Sequence, residues 1–188
     1  MRPGLPREVR LIGGLWKRSK LPVADSPGLR PTPDRVRETL FNWLGADLSG
    51  WRVLDAFAGS GALGFEAASR GAAEVLLIES DAALVTSLLA TQARLVATAL
   101  RVERADAMAW MARCAAGRFD LVLLDPPFAA GLAAPGLASA ARVVAVQGWV
   151  YLESGTAVLA GPAVPAGLEL HRATRAGAVH AQLFRRTA

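Results

Sequence analysis

The chain contains a few segments whose residue types and spacing could do chemistry, and the first is Asp55-Ala56-Phe57-Ala58-Gly59-Ser60-Gly61-Ala62-Leu63-Gly64. Gly59, Gly61 and Gly64 let the backbone turn sharply and approach a ligand closely. A helix starting behind them would offer free N–H groups to an anionic group. Glu79 follows Gly59 by twenty residues, the spacing at which an acid accepts hydrogen bonds from ribose hydroxyls. Two adenosine cofactors fit these features, a nicotinamide dinucleotide and S-adenosyl-L-methionine (SAM). Asp55 favours the second. A carboxylate four residues before Gly59 would repel a pyrophosphate on the turn, whereas the ammonium of SAM's methionine end would welcome it. The alternative is a tight turn at which Asp55 only caps a helix.

A second segment, Asp125-Pro126-Pro127-Phe128, ends an apolar run. Two prolines stiffen the path and remove two N–H donors, which leaves carbonyls free to accept from a substrate. An exocyclic amine presents two donors, and Asp125 with the Pro126 carbonyl could take both, aiming the nitrogen at a methyl group. Phe128 would stack on the base, lifted out of any helix it occupies. A sulfonium is a good leaving group, so alignment and electrostatics suffice and no histidine base is required. Read structurally, Pro-Pro only ends a strand and Phe128 only fills the core. Asp106 stands before a helix, where it could accept from the adenine amine of SAM or cap that helix. His171 and His180 have no partner at metal-ligand spacing and read as surface or packing residues, so no metal is expected.

These residues need elements to hold them. From Trp51 onward short apolar runs alternate with Ala-rich helical stretches, the rhythm of βαβ units on a parallel sheet. The runs are Arg52–Ala56, Val75–Glu79, Arg101–Arg104, Asp120–Asp125 and Trp149–Glu153. The helices fall at Leu63–Arg70, Ala82–Thr98, Ala107–Cys114 and Leu132–Val144, the last interrupted by Pro135 and Gly136. Leu168–Thr174 and Val179–Phe184, linked by Arg175–Ala178, read as an antiparallel hairpin. Ahead of the sheet, Thr32 is a good N-cap, Pro33 suits a first helical position, and Val36, Leu40, Trp43 and Leu44 recur at helical spacing. Residues 1–31 read as a basic arm with a short hairpin, and 32–188 as the main domain.

Charge is uneven along the chain. Residues 1–43 hold nine Lys or Arg against four Asp or Glu, and the remainder holds twelve against twelve, so the whole +5 lies in the first quarter. Clustered cations attract phosphates in a salt-dependent manner; the alternative is a solubilising basic tail. One cysteine, Cys114, excludes an internal disulfide and fits a reducing compartment. The N-terminus lacks a signal-peptide core and no stretch is apolar enough to span a bilayer, so a cytoplasmic protein is expected.

With the glycine turn, Glu79, Asp106 and Asp125–Phe128 in this order, the domain resembles the class I SAM-dependent methyltransferases that act on planar exocyclic amines. The arm narrows the resemblance. Ile12-Gly13-Gly14-Leu15-Trp16, Lys20-Leu21 and the run from Leu29 through Arg30-Pro31-Thr32-Pro33-Asp34-Arg35-Val36-Arg37-Glu38 to Leu44 look like the opening of the bacterial 16S rRNA guanine-N2 methyltransferases of the RsmD type. Asp55–Gly71, Tyr151-Leu152-Glu153-Ser154 and His171-Arg172 with Ala176-Gly177 agree. The resemblance implies a Rossmann-like α/β fold with a seven-stranded, mostly parallel sheet and an antiparallel C-terminal hairpin. It implies SAM bound across Asp55, Phe57, Gly59, Gly61, Gly64, Glu79 and Asp106, and a base amine held at Asp125, Pro126, Pro127 and Phe128. Phosphate contacts are expected from Arg10, Lys17, Arg18, Lys20 and Arg30, and the expected substrate is 16S rRNA in the small subunit or an assembly intermediate, met by a monomer. Competing readings are an adenine-N6 or protein-amide methyltransferase, a nicotinamide-dependent oxidoreductase, and a non-catalytic RNA-binding module.

Overall fold

A computed structural model describes residues 8–23, 34–157 and 164–188. Arg30, the expected N-cap Thr32 and Pro33 lie outside them. Strands β1 (Glu8–Arg10) and β2 (Lys20–Pro22) form the small antiparallel hairpin of the arm. Helix α1 (Asp34–Leu44) follows, and then the chain alternates through β3 (Arg52–Asp55), α2 (Ala62–Ser69), β4 (Glu74–Glu79), α3 (Ala82–Leu95), β5 (Leu100–Arg104), α4 (Ala107–Arg113), β6 (Phe119–Leu124), α5 (Ala133–Val143) and β7 (Val144–Ser154). It ends in β8 (Leu168–Ala176) and β9 (Val179–Arg186).

Strands β3 to β9 form one seven-stranded sheet in the order β5-β4-β3-β6-β7-β9-β8. Its pairs are parallel except those of β9, which runs antiparallel between β7 and β8. Both faces of the inner strands are covered, which is why β4 and β6 are apolar runs rather than alternating ones. One face packs against α1, α2, α3 and the arm; the other packs against α4 and α5. The strand order reverses between β3 and β6, so the crevice outside their carboxyl ends is where such a sheet takes a ligand.

Several boundaries differ from the sequence expectations for identifiable reasons. Helix α3 stops at Leu95 because Val96 turns left-handed at φ 52°, and the next amide reaches back to Gln92 O. Helix α5 keeps Pro135, since the third helical residue has no N–H obligation within the helix. Strand β7 begins at Val144, five residues before Trp149, and reaches it through an irregularity around Gln147, whose φ is 63°. In α1 the buried residues are Val36, Arg37, Leu40 and Phe41, so Trp43 and Leu44 only flank the core.

The arm is built into the core. Val9, Leu11 and Leu21 are at most 4% exposed and belong to the cluster that packs α1 and α2 on the sheet. Helix α2 therefore has every residue buried, with the sheet on one side and the arm on another. Its fully buried Glu66 accepts the amides of Ile12 and Gly13 at 2.8 Å each. The same carboxylate pairs with Arg70 at 2.8 Å and lies 3.8 Å from the buried Arg37. Arg37 in turn donates to the carbonyl of Arg10 at 2.8 Å.

Candidate active site

The glycine turn sits at the carboxyl end of β3, on the switch point. Gly59 and Gly61 have φ of 54° and 78°, conformations that a side chain would strain. Glu79 holds the turn. Its Oε2 accepts the Gly59 amide and its Oε1 the Asp81 amide, both at 2.9 Å. Gly64 lies deeper, inside α2, where a Cβ would stand 2.1 Å from Leu77 Cδ2. Its space is a helix–strand packing requirement, the role of the third glycine in such turns.

Asp55 is buried below the turn. Its Oδ2 accepts the Gly64 amide at 2.9 Å, while its Oδ1 is buried with no hydrogen-bond partner among the described residues. Burial pushes its carboxyl up to about 7, the Gly64 amide and, more weakly, the Phe57 amide oppose the rise, and Glu79 and Glu153 add to it. Asp55 therefore does bond a helix amide, but half of it is left unsatisfied. A buried acceptor in that condition is costly unless something supplies a donor.

Asp125-Pro126-Pro127-Phe128 continues β6, the strand beside β3. Asp125 is half-buried, Pro126 buried and Pro127 exposed. Phe128 opens a short 3-10 turn, Phe128–Ala130, with 46% of its surface exposed. Its ring borders Gly155, where a Cβ would be 3.5 Å from Phe128 Cδ2. A ring left that open is not filling the core.

Sheet alternation brings in a residue that the sequence reading did not select as a site residue. Val53, Leu77, Leu123 and Tyr151 all point to the α1–α3 face, so the residues two further on, Asp55, Glu79, Asp125 and Glu153, follow on that face. They make a row of acids across the carboxyl ends of β4, β3, β6 and β7. Glu153 is 2% exposed and accepts the Tyr151 hydroxyl at 2.8 Å. Burial first, then Glu153 and Asp125, hold the Tyr151 phenol well above its usual range. The sequence signal was an acid closing an apolar strand. The acids are strung along the strand ends, and among the described residues no three His, Cys, Asp or Glu could hold one metal ion. Such a row suits a cationic ligand and repels a pyrophosphate.

The other expected residues divide. Asp106, exposed on the next strand end, caps α4 by accepting the Ala109 amide at 2.8 Å. Phe57 is half-buried against the opposite core cluster. Among the described arm residues, Lys17 and Arg18 are not gathered around Asp125. The Leu15 amide donates to Ser69 O at 2.7 Å and the Trp16 amide to Ser69 Oγ at 2.9 Å. That fixes the Gly13–Arg18 turn at the C-terminal end of α2, about 12 Å of helix away from the glycine turn. Lys17, Arg18 and Arg10 are exposed, and Lys20 is paired with Glu8 at 2.7 Å.

This sheet, with its glycine turn at the switch point and Asp-Pro-Pro-Phe on the neighbouring strand, defines the class I methyltransferase fold. The solved structure of the yhhF protein of Escherichia coli aligns with a TM-score of 0.84 at 41% identity, over 96% of this chain and 99% of that one. TrmN of Thermus thermophilus shares the fold at a TM-score of 0.70 and 24% identity, over 87% of this chain and 51% of that one. Residues 9–185 match the family described as Conserved hypothetical protein 95. The ribosomal RNA small subunit methyltransferase D of Escherichia coli K12 is 46% identical, over 96% of this chain and 91% of its own. The Haemophilus influenzae protein of that name is 44% identical, over 70% and 69%. The chain belongs to the ribosomal RNA small subunit methyltransferase D family.

Proposed function

We propose that the protein transfers the methyl group of SAM to the exocyclic N2 amine of one guanine in 16S rRNA, acting as a cytoplasmic monomer on the small subunit or an assembly intermediate. The observation that carries this reading is the placement of Asp125–Phe128 one strand from the glycine turn, on a shared crevice. The acceptor set fits SAM: the unpartnered Asp55 Oδ1 can accept from an ammonium, and Glu79, which holds the glycine turn, could accept from ribose hydroxyls. When bound, SAM supplies an electrophilic methyl on a sulfonium. Phe57, Gly59, Gly61 and Asp106 would hold it together with these acids, and Gly64 keeps the helix close enough for the turn to form.

Asp125 and the Pro126 carbonyl accept the two amine hydrogens, which points the nitrogen lone pair out of the ring plane. Pro127 holds the segment stiff and Phe128 stacks on the base. Arg10, Lys17, Arg18, Lys20 and Arg30, in the arm of residues 1–31, are assigned to phosphates. Asp125→Ala is the test: SAM affinity is retained and turnover falls at least a hundredfold, on the scale of losing one oriented polar group. Wild-type turnover in that variant would refute the mechanism. Nucleoside digestion of the product identifies the amine, since N6-methyladenosine in place of N2-methylguanosine would move the reading to adenine.

A further inference from the structure

We propose that the amino end of the sheet carries a second RNA contact, an open cavity lined by Trp51, Trp149 and Arg185 that takes an unpaired base of the substrate. The inference rests on the RNA-substrate reading. The cavity is about 400 Å³ and is lined by Trp51, Asp120, Gln147, Trp149 and Arg185 among others, within the size range of small-ligand sites, about 300–1,000 Å³. It lies at the starts of β6 and β7, and five residue steps along β6 separate Asp120 in its wall from Asp125 by about 17 Å. It is therefore distinct from the catalytic crevice.

Its chemistry is that of a stacking platform. The Arg185 guanidinium lies 4.2 Å from the Trp149 ring centroid, and His171 meets the same ring edge-on at 4.9 Å. Both donating nitrogens of Arg185 go to Gln147 Oε1, at 3.3 and 3.1 Å. Among the described residues Arg185 forms no ion pair, although Glu169 is its register partner. Asp120, the acid in the wall, is already neutralised by Arg52 through contacts of 3.1 and 3.0 Å. Gln147 holds a left-handed φ of 63°, a conformation that cores rarely select for a non-glycine residue and that recurs at functional sites. Indole faces and guanidinium planes bind unpaired bases with little regard to sequence.

The surroundings favour RNA over a neutral ligand. From Leu168 to Arg186 the hairpin carries four arginines and one glutamate. Arg172 and Arg175 are exposed along β8, the open edge of the sheet. Arg175 pairs in register with His180, which also pairs with Ser154 at the carboxyl end of β7. A basic edge thus leads from the cavity to the rim of the catalytic crevice, a path for a strand whose target base sits at Asp125.

The test measures binding of protein-free 16S rRNA by Arg172→Ala combined with Arg185→Ala, across a salt series. The Kd should rise about tenfold, as for losing one stacked base. The slope of log K against log salt should fall by about 1.5, with SAM affinity unchanged and Tm lowered by no more than a few degrees. Photocrosslinking of thionucleotide-substituted rRNA should label the Gln147–Tyr151 peptide in the wild type and not in the variant. Unchanged Kd and slope alongside normal wild-type binding would overturn this inference and leave the proposed reaction standing. A loss seen only with ribonucleoprotein particles, with the crosslink going to a ribosomal protein and not to rRNA, would assign the surface to that protein and overturn it equally. A wild-type protein that binds neither would overturn both readings.

Discussion

Replacing Asp55 by Asn turns the buried carboxylate into a pH meter. In the ligand-free protein its carboxyl rises from an ordinary 3.8 to about 7, chiefly through burial. The folded protein therefore holds this proton more tightly than the unfolded chain does. Stability from the group is fully present below about 4 and is lost as pH rises through about 7. A shift of about 3 pH units at 1.36 kcal/mol each amounts to about 4 kcal/mol, of which about 2.7 kcal/mol falls between pH 5 and pH 8.5. Asn keeps an oxygen for the Gly64 amide and cannot ionise. Its NH2 enters the unpartnered position of Oδ1, a cost of about 1–3 kcal/mol that does not vary with pH. The informative quantity is the change in the variant's relative stability between the two pH values. Urea unfolding at pH 5 and pH 8.5 should show Asp55→Asn gaining 2–3 kcal/mol on the wild type, on the order the linkage relation requires. Equal differences at both pH values would refute the placement of an ionisable, solvent-shielded group at this point. Saturating SAM should stabilise the wild type more than the variant at pH 8.5, because only the wild type offers a carboxylate to the ammonium.

Other substitutions test separate parts of the structure. Gly64→Ala should destabilise by about 1–3 kcal/mol in urea unfolding, because its Cβ meets Leu77 at 2.1 Å; the gain usual for Ala over Gly in a helix would show that the contact is not tight. Glu66→Ala should cost about 3–5 kcal/mol and open the arm to limited proteolysis, since it removes the partner of the nearly buried Arg70 and frees the Ile12 and Gly13 amides, while Arg37 keeps Asp34 at 2.6 Å. Lys17→Ala with Arg18→Ala should leave Tm unchanged and lower the salt slope of RNA binding by about 1.5. An unaltered slope would remove the arm's turn from the RNA surface. Deleting residues 1–20 is a poor substitute for this test, because Val9 and Leu11 would leave the core with them.

The apolar period from Trp51 onward determined the strands and helices, because alternation and helical spacing are local consequences of which faces are buried. The glycine turn and Asp125–Phe128 were legible for the same reason: left-handed φ and a missing N–H are properties of single residues. Element ends were less so. Val96 and Gln147 adopt left-handed backbone with no glycine to announce it, and Pro135 looked like a break until its place in the first turn of α5 was known. Net charge was legible as a total and misleading as a map. The balance of twelve cations and twelve anions after residue 43 conceals an arginine-rich edge at β8 and β9, since those residues become neighbours only when the hairpin forms. The arm's cations were equally visible, but their position at the far end of α2 follows from Glu66 and Ser69, more than fifty residues away in sequence. Only the tertiary structure aligned Asp55, Glu79, Asp125 and Glu153. Strand order and register are long-range choices, and they convert four separated acids into one electrostatic field and raise the Asp55 carboxyl by burying it there.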